Sequence, residues 1–356
     1  MTRPPITSAP PRDLRLDLAR GAGLVLPADG RILVMHPGPD DRFDSLPAVQ
    51  VLIHTPHRPV ADALARRGFA TDTALPAQAD AVILCLPRNR EEGRDALARA
   101  CALTRGPVVV DGQKEDGIDA MLRALRPLVA LGEPIAKGHG KIAWFPSPGP
   151  AALADWRAGE RRITDSAGRG FVTLPGVFSA DGVDPGSALL AAALPAGMTG
   201  TGADLGAGWG YLSADLLARA SAITALHLVE ADSRALACAR RNVTDPRAAF
   251  HWLDATGTLP LPPLDFVVMN PPFHRGRAGD PGLGAAFIGR AAACLKPGGA
   301  LWLVANRHLP YEAALAAHFR TVAERPGADA GFKIMHAQAP RRETGAGAGR
   351  RKGRPG

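Results

Sequence analysis

Asp204-Leu205-Gly206-Ala207-Gly208-Trp209-Gly210 sets three glycines at alternate positions behind an acidic residue. Thr201–Leu205 before it reads as a short apolar strand, and Tyr211–Arg219 after it has helical spacing. Glycine at every second position of a strand-to-helix turn lets the backbone turn sharply and approach a bound group, since a Cβ would intrude. A dinucleotide fingerprint, G-x-G-x-x-G, would need its third glycine at position 211, which is Tyr211. The spacing here is D-x-G-x-G-x-G, which fits S-adenosylmethionine, a nucleoside ligand with no pyrophosphate to cradle. Glu230 ends the next strand, Ala225–Val229, and lies 20 residues after Gly210. A carboxylate there can accept hydrogen bonds from both ribose hydroxyls. Asp254, in His251-Trp252-Leu253-Asp254-Ala255, falls where a third strand should end and is placed to bond an adenine amino group. A glycine loop alone is as readily a tight turn. Two acids in register at successive strand ends favour the cofactor.

Working outward, the second half continues with strands at Leu264–Met269 and Ala300–Ala305 and helices at Arg234–Arg241, Gly284–Leu295 and Tyr311–His318. Thr321–Glu324 and Phe332–Ala337 would form a hairpin closing the sheet. The first half repeats the plan, with strands at Arg31–Met35, Val49–His54, Ala81–Leu86 and Pro107–Val110 and helices at Pro59–Arg67 and Glu91–Leu103. This alternation signals an α/β architecture with parallel sheets. Only the second half carries the glycine loop and the acidic strand ends. The segment Lys141–Gly176, rich in Pro, Gly and Arg, reads as a connection. The expected domains are 1–145, a linker 146–175, 176–340, and a basic tail 341–356.

Leu264–Met269 runs into Asn270-Pro271-Pro272-Phe273. Two consecutive prolines fix φ and leave carbonyls with no competing N–H, so the turn is rigid. The Asn270 side-chain oxygen and the Pro271 carbonyl can both accept hydrogen bonds from a planar amino group. Such an amine is a poor nucleophile, because its lone pair is delocalised into the ring. Two acceptors favour a pyramidal nitrogen and stabilise the positive charge that develops on it. Phe273 is expected to stack on the ring that carries the amine. This scheme needs no general base, and His274, a loop histidine, is ordinarily solvated.

The chain has 356 residues, 46% apolar and 21% charged, enough for two domains with separate cores. Residues 1–175 carry 23 basic and 20 acidic side chains, residues 176–340 carry 13 of each, and residues 341–356 carry six and one. The surplus charge therefore sits in the first half and the tail, which excludes a uniformly basic, histone-like protein. The tail either grips phosphates or is simply solvated, and the sequence weighs these equally. No apolar run approaches the roughly 18 residues of a membrane helix, the longest being about Ala188–Leu194. The start lacks the apolar core of a signal peptide. Cys85, Cys101, Cys238 and Cys294 show no C-x-x-C pairing, so neither a disulfide framework nor a metal site is expected. A cytoplasmic, monomeric chain without a membrane segment is the expectation.

With these loops in hand, the second half closely resembles class I S-adenosylmethionine-dependent methyltransferases of the N-P-P-[FY] type. More narrowly, the chain resembles the bacterial ribosomal-RNA guanine-N2 methyltransferases that modify small-subunit (16S) RNA, with a sister group acting on the large subunit. The resemblance spans about residues 171–337. It rests on Thr173–Ser179, Asp181–Ser187, the glycine loop, Asn270–His274, Val304–Arg307 with Leu309–Tyr311, and Gly331–Lys333. It implies two tandem Rossmann-like methyltransferase domains, the first degenerate, the second catalytic with a C-terminal antiparallel hairpin in its sheet. Leu86–Asn89 and Asp111–Lys114 carry the fainter likeness of the first half, which in that family has lost cofactor binding and helps folding or holds RNA. The resemblance implies catalysis by Asn270, Pro271, Pro272 and Phe273. It implies cofactor binding by Asp184, Gly186, Asp204, Gly206, Gly208, Gly210, Glu230, Asp254 and Asn270. The family often has Cys where this chain has Ala207 and Asp where it has Glu230; both keep the needed size or charge. His274-Arg275-Gly276-Arg277 adds positive charge beside the amine loop.

The partner implied is ribosomal RNA or the small ribosomal subunit. Three other readings stand beside it: a large-subunit guanine, another planar amine (adenine N6 or a protein glutamine), and a folded RNA-binding or assembly factor with a vestigial site. The Phe178–Ser187 segment and the degenerate first half favour ribosomal RNA over the glutamine. The acids and Asn270 weigh against a vestigial site.

Overall fold

The computed structural model describes residues 11–272, 274–275, 278–279, 281–326 and 331–341. The chain divides into two compact units. One comprises residues up to Val183 together with Ala231–Asn242, and the other Asp184–Glu230 together with Val243 onward.

The first unit holds a seven-stranded sheet. Its spatial order is Ala70–Asp72, Val51–His54, Ile32–Met35, Ala81–Cys85, Pro107–Gln113, Gly140–Pro146, Ile135–Lys137. The first five strands run parallel and the last two are antiparallel. Ile32–Met35 and Ala81–Cys85 are buried along their whole length, as expected of strands covered on both faces. Leu33, Val82, Leu84 and Val108 pack against Ala96, Leu97 and Cys101 of the Arg90–Leu103 helix. The alternate residues Ile32, Val34 and Ile83 face Leu16 and Ala19 of the Pro11–Gly21 helix. Each such side chain withdrawn from water contributes roughly 1.5–3 kcal/mol.

The second unit repeats the architecture. Its sheet order is Ala248–Trp252, Ile223–Glu230, Gly200–Leu205, Leu264–Met269, Leu295–Asn306, Phe332–Pro340, Phe319–Arg325. Again five strands are parallel, followed by an antiparallel pair that is the expected C-terminal hairpin. Val267, Met269, Leu301 and Leu303 are buried against Phe287, Ile288 and Ala291 of the Pro281–Cys294 helix. Gly200–Leu205 is central, with Ile223–Glu230 on one side and Leu264–Met269 on the other. The chain therefore departs in opposite directions at this strand, and the crevice beyond its carboxyl end is where such sheets bind ligands.

The sequence reading leaves out the Pro11–Gly21, Ile118–Leu125 and Pro185–Ala193 helices and the Ala70–Asp72 strand, and it differs from the structure most in one stretch. Lys141–Gly176, expected as a connection, contains most of the Gly140–Pro146 strand and a hairpin of Arg161–Thr164 with Gly170–Thr173. Gly140–Pro146 belongs to the sheet because Ile142, Ala143 and Phe145 are buried, although its flanking Lys and Pro residues give it loop-like composition.

Candidate active site

Gly206, Gly208 and Gly210 all adopt the left-handed conformation, with φ of 77°, 55° and 91°. Any other residue would be strained at these positions. A Cβ built on Gly208 would meet nothing within 4 Å, so this side of the loop opens onto free space. The loop is tied to the neighbouring strand: the Gly206 and Ala207 amides donate to the Val229 carbonyl at 2.9 and 3.1 Å. The Gly208 amide donates to the Glu230 carboxylate at 2.7 Å. Glu230 thus ends its strand beside the loop, as the spacing demands. Asp254 lies two residues beyond the Ala248–Trp252 strand, brought next to Glu230 by a bond from the Leu253 amide to the Glu230 carbonyl. One Asp254 oxygen accepts from the Thr256 amide and hydroxyl, which fixes the turn.

Asp204 is fully buried. One of its carboxylate oxygens accepts from the Ser213 hydroxyl at 2.8 Å, and the other has no partner. Burial, opposed by the Ser213 bond and reinforced by the Glu230 charge, pushes the carboxyl up to about 7. An unsatisfied buried oxygen of this kind is costly unless a ligand completes it. An acceptor awaiting a cation and an open glycine loop flanked by two acids fit the ammonium and ribose of S-adenosylmethionine.

Asn270 follows the Leu264–Met269 strand, the hydrogen-bonded neighbour of Gly200–Leu205. A Cβ on Gly206 would lie 3.5 Å from Phe287 and 4.0 Å from the Asn270 carbonyl, so the glycine loop and the amine loop adjoin. The Asn270 amide nitrogen donates to Asp184 Oδ2 at 2.7 Å and to Ser187 Oγ at 2.9 Å. Asp184 also caps the Pro185–Ala193 helix, accepting from the Ser187 amide at 2.7 Å with Pro185 at the first helical position. A Cβ on Gly186 would come 3.1 Å from the Asp184 carboxylate and 3.0 Å from the Phe332 ring, so a larger residue there would have to push one or both aside by a few tenths of an ångström. Pro271 is buried and Pro272 exposed. Phe273 lies outside the described residues, as do the side chains of His274 and Arg275. Ser187 and Ser213 are the site residues the sequence reading missed; each is the third residue of its helix.

Among its described residues, the first unit carries no counterpart of this site. The loop after Met35 is His36-Pro37-Gly38, and burial pushes the His36 imidazole down to about 3, so it is neutral. Asn89, in the stretch that faintly matched, caps the Arg90–Leu103 helix by accepting from the Glu91 and Glu92 amides. Asp111 is occupied by Arg12 and by Arg15, which is itself 0% exposed.

A cavity of about 1010 Å³ lined by Asp265, Lys296, Trp302, Arg325 and His336 lies elsewhere in the second unit. Asp265 starts the strand that Asn270 follows, so this cavity is at the opposite end of the sheet from the glycine loop. Among the described residues, no cluster of three or more His, Cys, Asp or Glu could hold a metal, and no helix is long and apolar enough to cross a membrane.

Comparison with known proteins agrees with this geometry. The methyltransferase small domain family matches residues 168–336. Ribosomal RNA small subunit methyltransferase C of Pseudomonas aeruginosa is 34% identical over 279 residues, covering 75% of this chain and 82% of that protein. The protein of the same name from Hahella chejuensis is 30% identical over 326 residues, covering 86% and 94%. Among solved structures, the T. thermophilus 16S rRNA N2 G1207 methyltransferase in complex with AdoMet and guanosine superposes with a TM-score of 0.75. The two are 27% identical, and the match covers 92% of each chain. With both units matched, and with the glycine loop and Asn270 side by side, the chain belongs to the ribosomal RNA small subunit methyltransferase C family.

Proposed function

We propose that this chain transfers a methyl group from S-adenosylmethionine to the exocyclic N2 of a guanine in small-subunit ribosomal RNA. The observation that carries the reading is the pairing of an open, acid-flanked glycine loop with an adjoining Asn270 whose amide nitrogen is fully engaged. When bound, S-adenosylmethionine supplies a methyl group already activated on a sulfonium. Gly206, Gly208 and Gly210 would give it room, Glu230 would accept from its ribose, Asp254 from its adenine amine, and Asp204 would pair with its ammonium.

With both Nδ2 hydrogens donated, Asn270 presents its oxygen, an acceptor only. That oxygen and the Pro271 carbonyl accept the two hydrogens of the guanine amine and hold its lone pair out of conjugation. Their negative ends face the nitrogen as it becomes positive, so the contacts strengthen toward the transition state. Solvent takes the released proton, and no side chain is required as base. The same reading takes the chain to act on ribosomal RNA in the cytoplasm as a monomer.

Asn270→Ala tests this. Losing one preorganised contact of this type costs roughly 2.7–4 kcal/mol, or about 10²–10³ in rate. Single-turnover transfer at saturating RNA should slow by that factor while cofactor affinity is unchanged. A near-normal rate would mean that the Asn-Pro-Pro loop is only a rigid turn.

A further inference from the structure

We infer that Asp184 is the positioning residue that sets which way the Asn270 amide faces, and through it the rate of methyl transfer. An Asn side chain can sit in a site in two orientations related by a half turn, one presenting oxygen and the other nitrogen. Only the first can accept from a substrate amine; the second would offer a donor to a donor. The choice is made by Asp184. An ionised carboxylate accepts and never donates, so the Asn270 atom 2.7 Å from Asp184 Oδ2 must be the nitrogen. Ser187 Oγ, 2.9 Å away, takes the second hydrogen but would tolerate either orientation, because a hydroxyl donates as well as accepts. The carboxylate is therefore the discriminating group.

Asp184 is itself immobilised. The Ser187 amide donates to the same oxygen at 2.7 Å, and Gly186 has no Cβ to push the carboxylate aside. This gives a reason for the Asp-Pro-Gly-Ser sequence at positions 184–187 other than direct contact with a cofactor. Its aspartate caps the helix and reaches Asn270, its proline starts the helix, its glycine leaves clearance and its serine binds the second hydrogen. The inference rests on reading Asn270 as the amine acceptor, and the amide-exchange measurement below tests the orientation independently of that reading.

Asp184→Ser retains a good helix cap, since serine caps as well as aspartate, but its side chain is too short to reach Asn270. Two measurements are needed. In single-turnover transfer, Asp184→Ser should slow the reaction by roughly ten- to a hundredfold, the equivalent of one hydrogen bond to a charged group. Cofactor affinity should stay within about twofold of wild type, and Asp184→Ser should cost nothing further in an Asn270→Ala background. In nuclear magnetic resonance, the Asn270 side-chain amide protons should exchange slowly in the wild type and fast in Asp184→Ser. Unchanged exchange overturns the inference whatever the rates show. Additive losses in the double variant, or a cofactor affinity that falls with Asp184→Ser, would overturn it in favour of direct cofactor contact. A normal rate for Asn270→Ala alongside faster amide exchange in Asp184→Ser would leave Asp184 as the orienting group and refute only the role given to Asn270.

Discussion

Replacing Asp204 with Asn should stabilise the cofactor-free protein above pH 7 and at the same time weaken its hold on S-adenosylmethionine. The carboxyl is buried with one oxygen unpartnered, and its pKa rises from the ordinary 3.8 to about 7. The native state therefore binds a proton more tightly than the unfolded chain. The stability this represents is fully present below pH 3.8 and is lost as the pH rises through about 7. At 1.36 kcal/mol for each pKa unit, the ionised carboxylate destabilises the fold by about 4 kcal/mol above pH 8. Asn carries no charge, but it leaves an amide where the unpartnered oxygen was, at a cost of about 1–3 kcal/mol. The net gain should be about 1–3 kcal/mol at pH 8, reversing to a loss of about 1–3 kcal/mol near pH 4, where the wild-type carboxyl is protonated and only the cost of the amide remains. Urea unfolding of both proteins between pH 4.5 and 8.5 measures it, because the difference at each pH cancels the other titrating groups. By calorimetry, wild-type affinity for the cofactor should rise across pH 7 as Asp204 ionises to meet the ammonium. The variant should bind at least about tenfold more weakly at pH 8, which is about 1.4 kcal/mol. A stability difference that does not change with pH would refute the reasoning.

Two further outcomes follow from the same geometry. Gly208→Val forces a β-branched residue into φ 55° and fills the open side of the loop. It should lower cofactor affinity by more than about tenfold in calorimetry, with a stability loss of only about 1–2 kcal/mol. Asp111→Ala strands Arg15, which is 0% exposed and donates twice to that carboxylate. It should cost about 3–5 kcal/mol in urea unfolding, and cofactor affinity should be unchanged.

What the sequence made legible is what local chemistry dictates. The glycine loop announced itself because positive φ at three alternate positions requires glycine, and Glu230 because the next parallel strand must end beside that loop. Parallel strands buried on both faces, such as Leu264–Met269, were found nearly to the residue, because continuous apolar runs leave little choice. Gly140–Pro146 was hidden by its Lys and Pro residues. The bonds from Asn270 to Asp184 and Ser187 were out of reach, because they join side chains more than 80 residues apart. So were the arginines of the first helix on Asp111, almost 100 residues away. Such pairings are set by how the sheet brings its carboxyl ends together, and no local pattern records them. The Asp184-Pro185 pair did carry a helix-start signal, which marks the cap though not its second bond.

The central claim is tested most directly by incubating the purified protein with methyl-labelled S-adenosylmethionine and ribosomal subunits lacking the modification, then mapping the labelled nucleotide. Label should appear in 16S RNA, recovered as N2-methylguanine, and almost none with Asn270→Ala. Label in large-subunit RNA, on adenine or on a ribosomal protein, or no transfer at all, would contradict it.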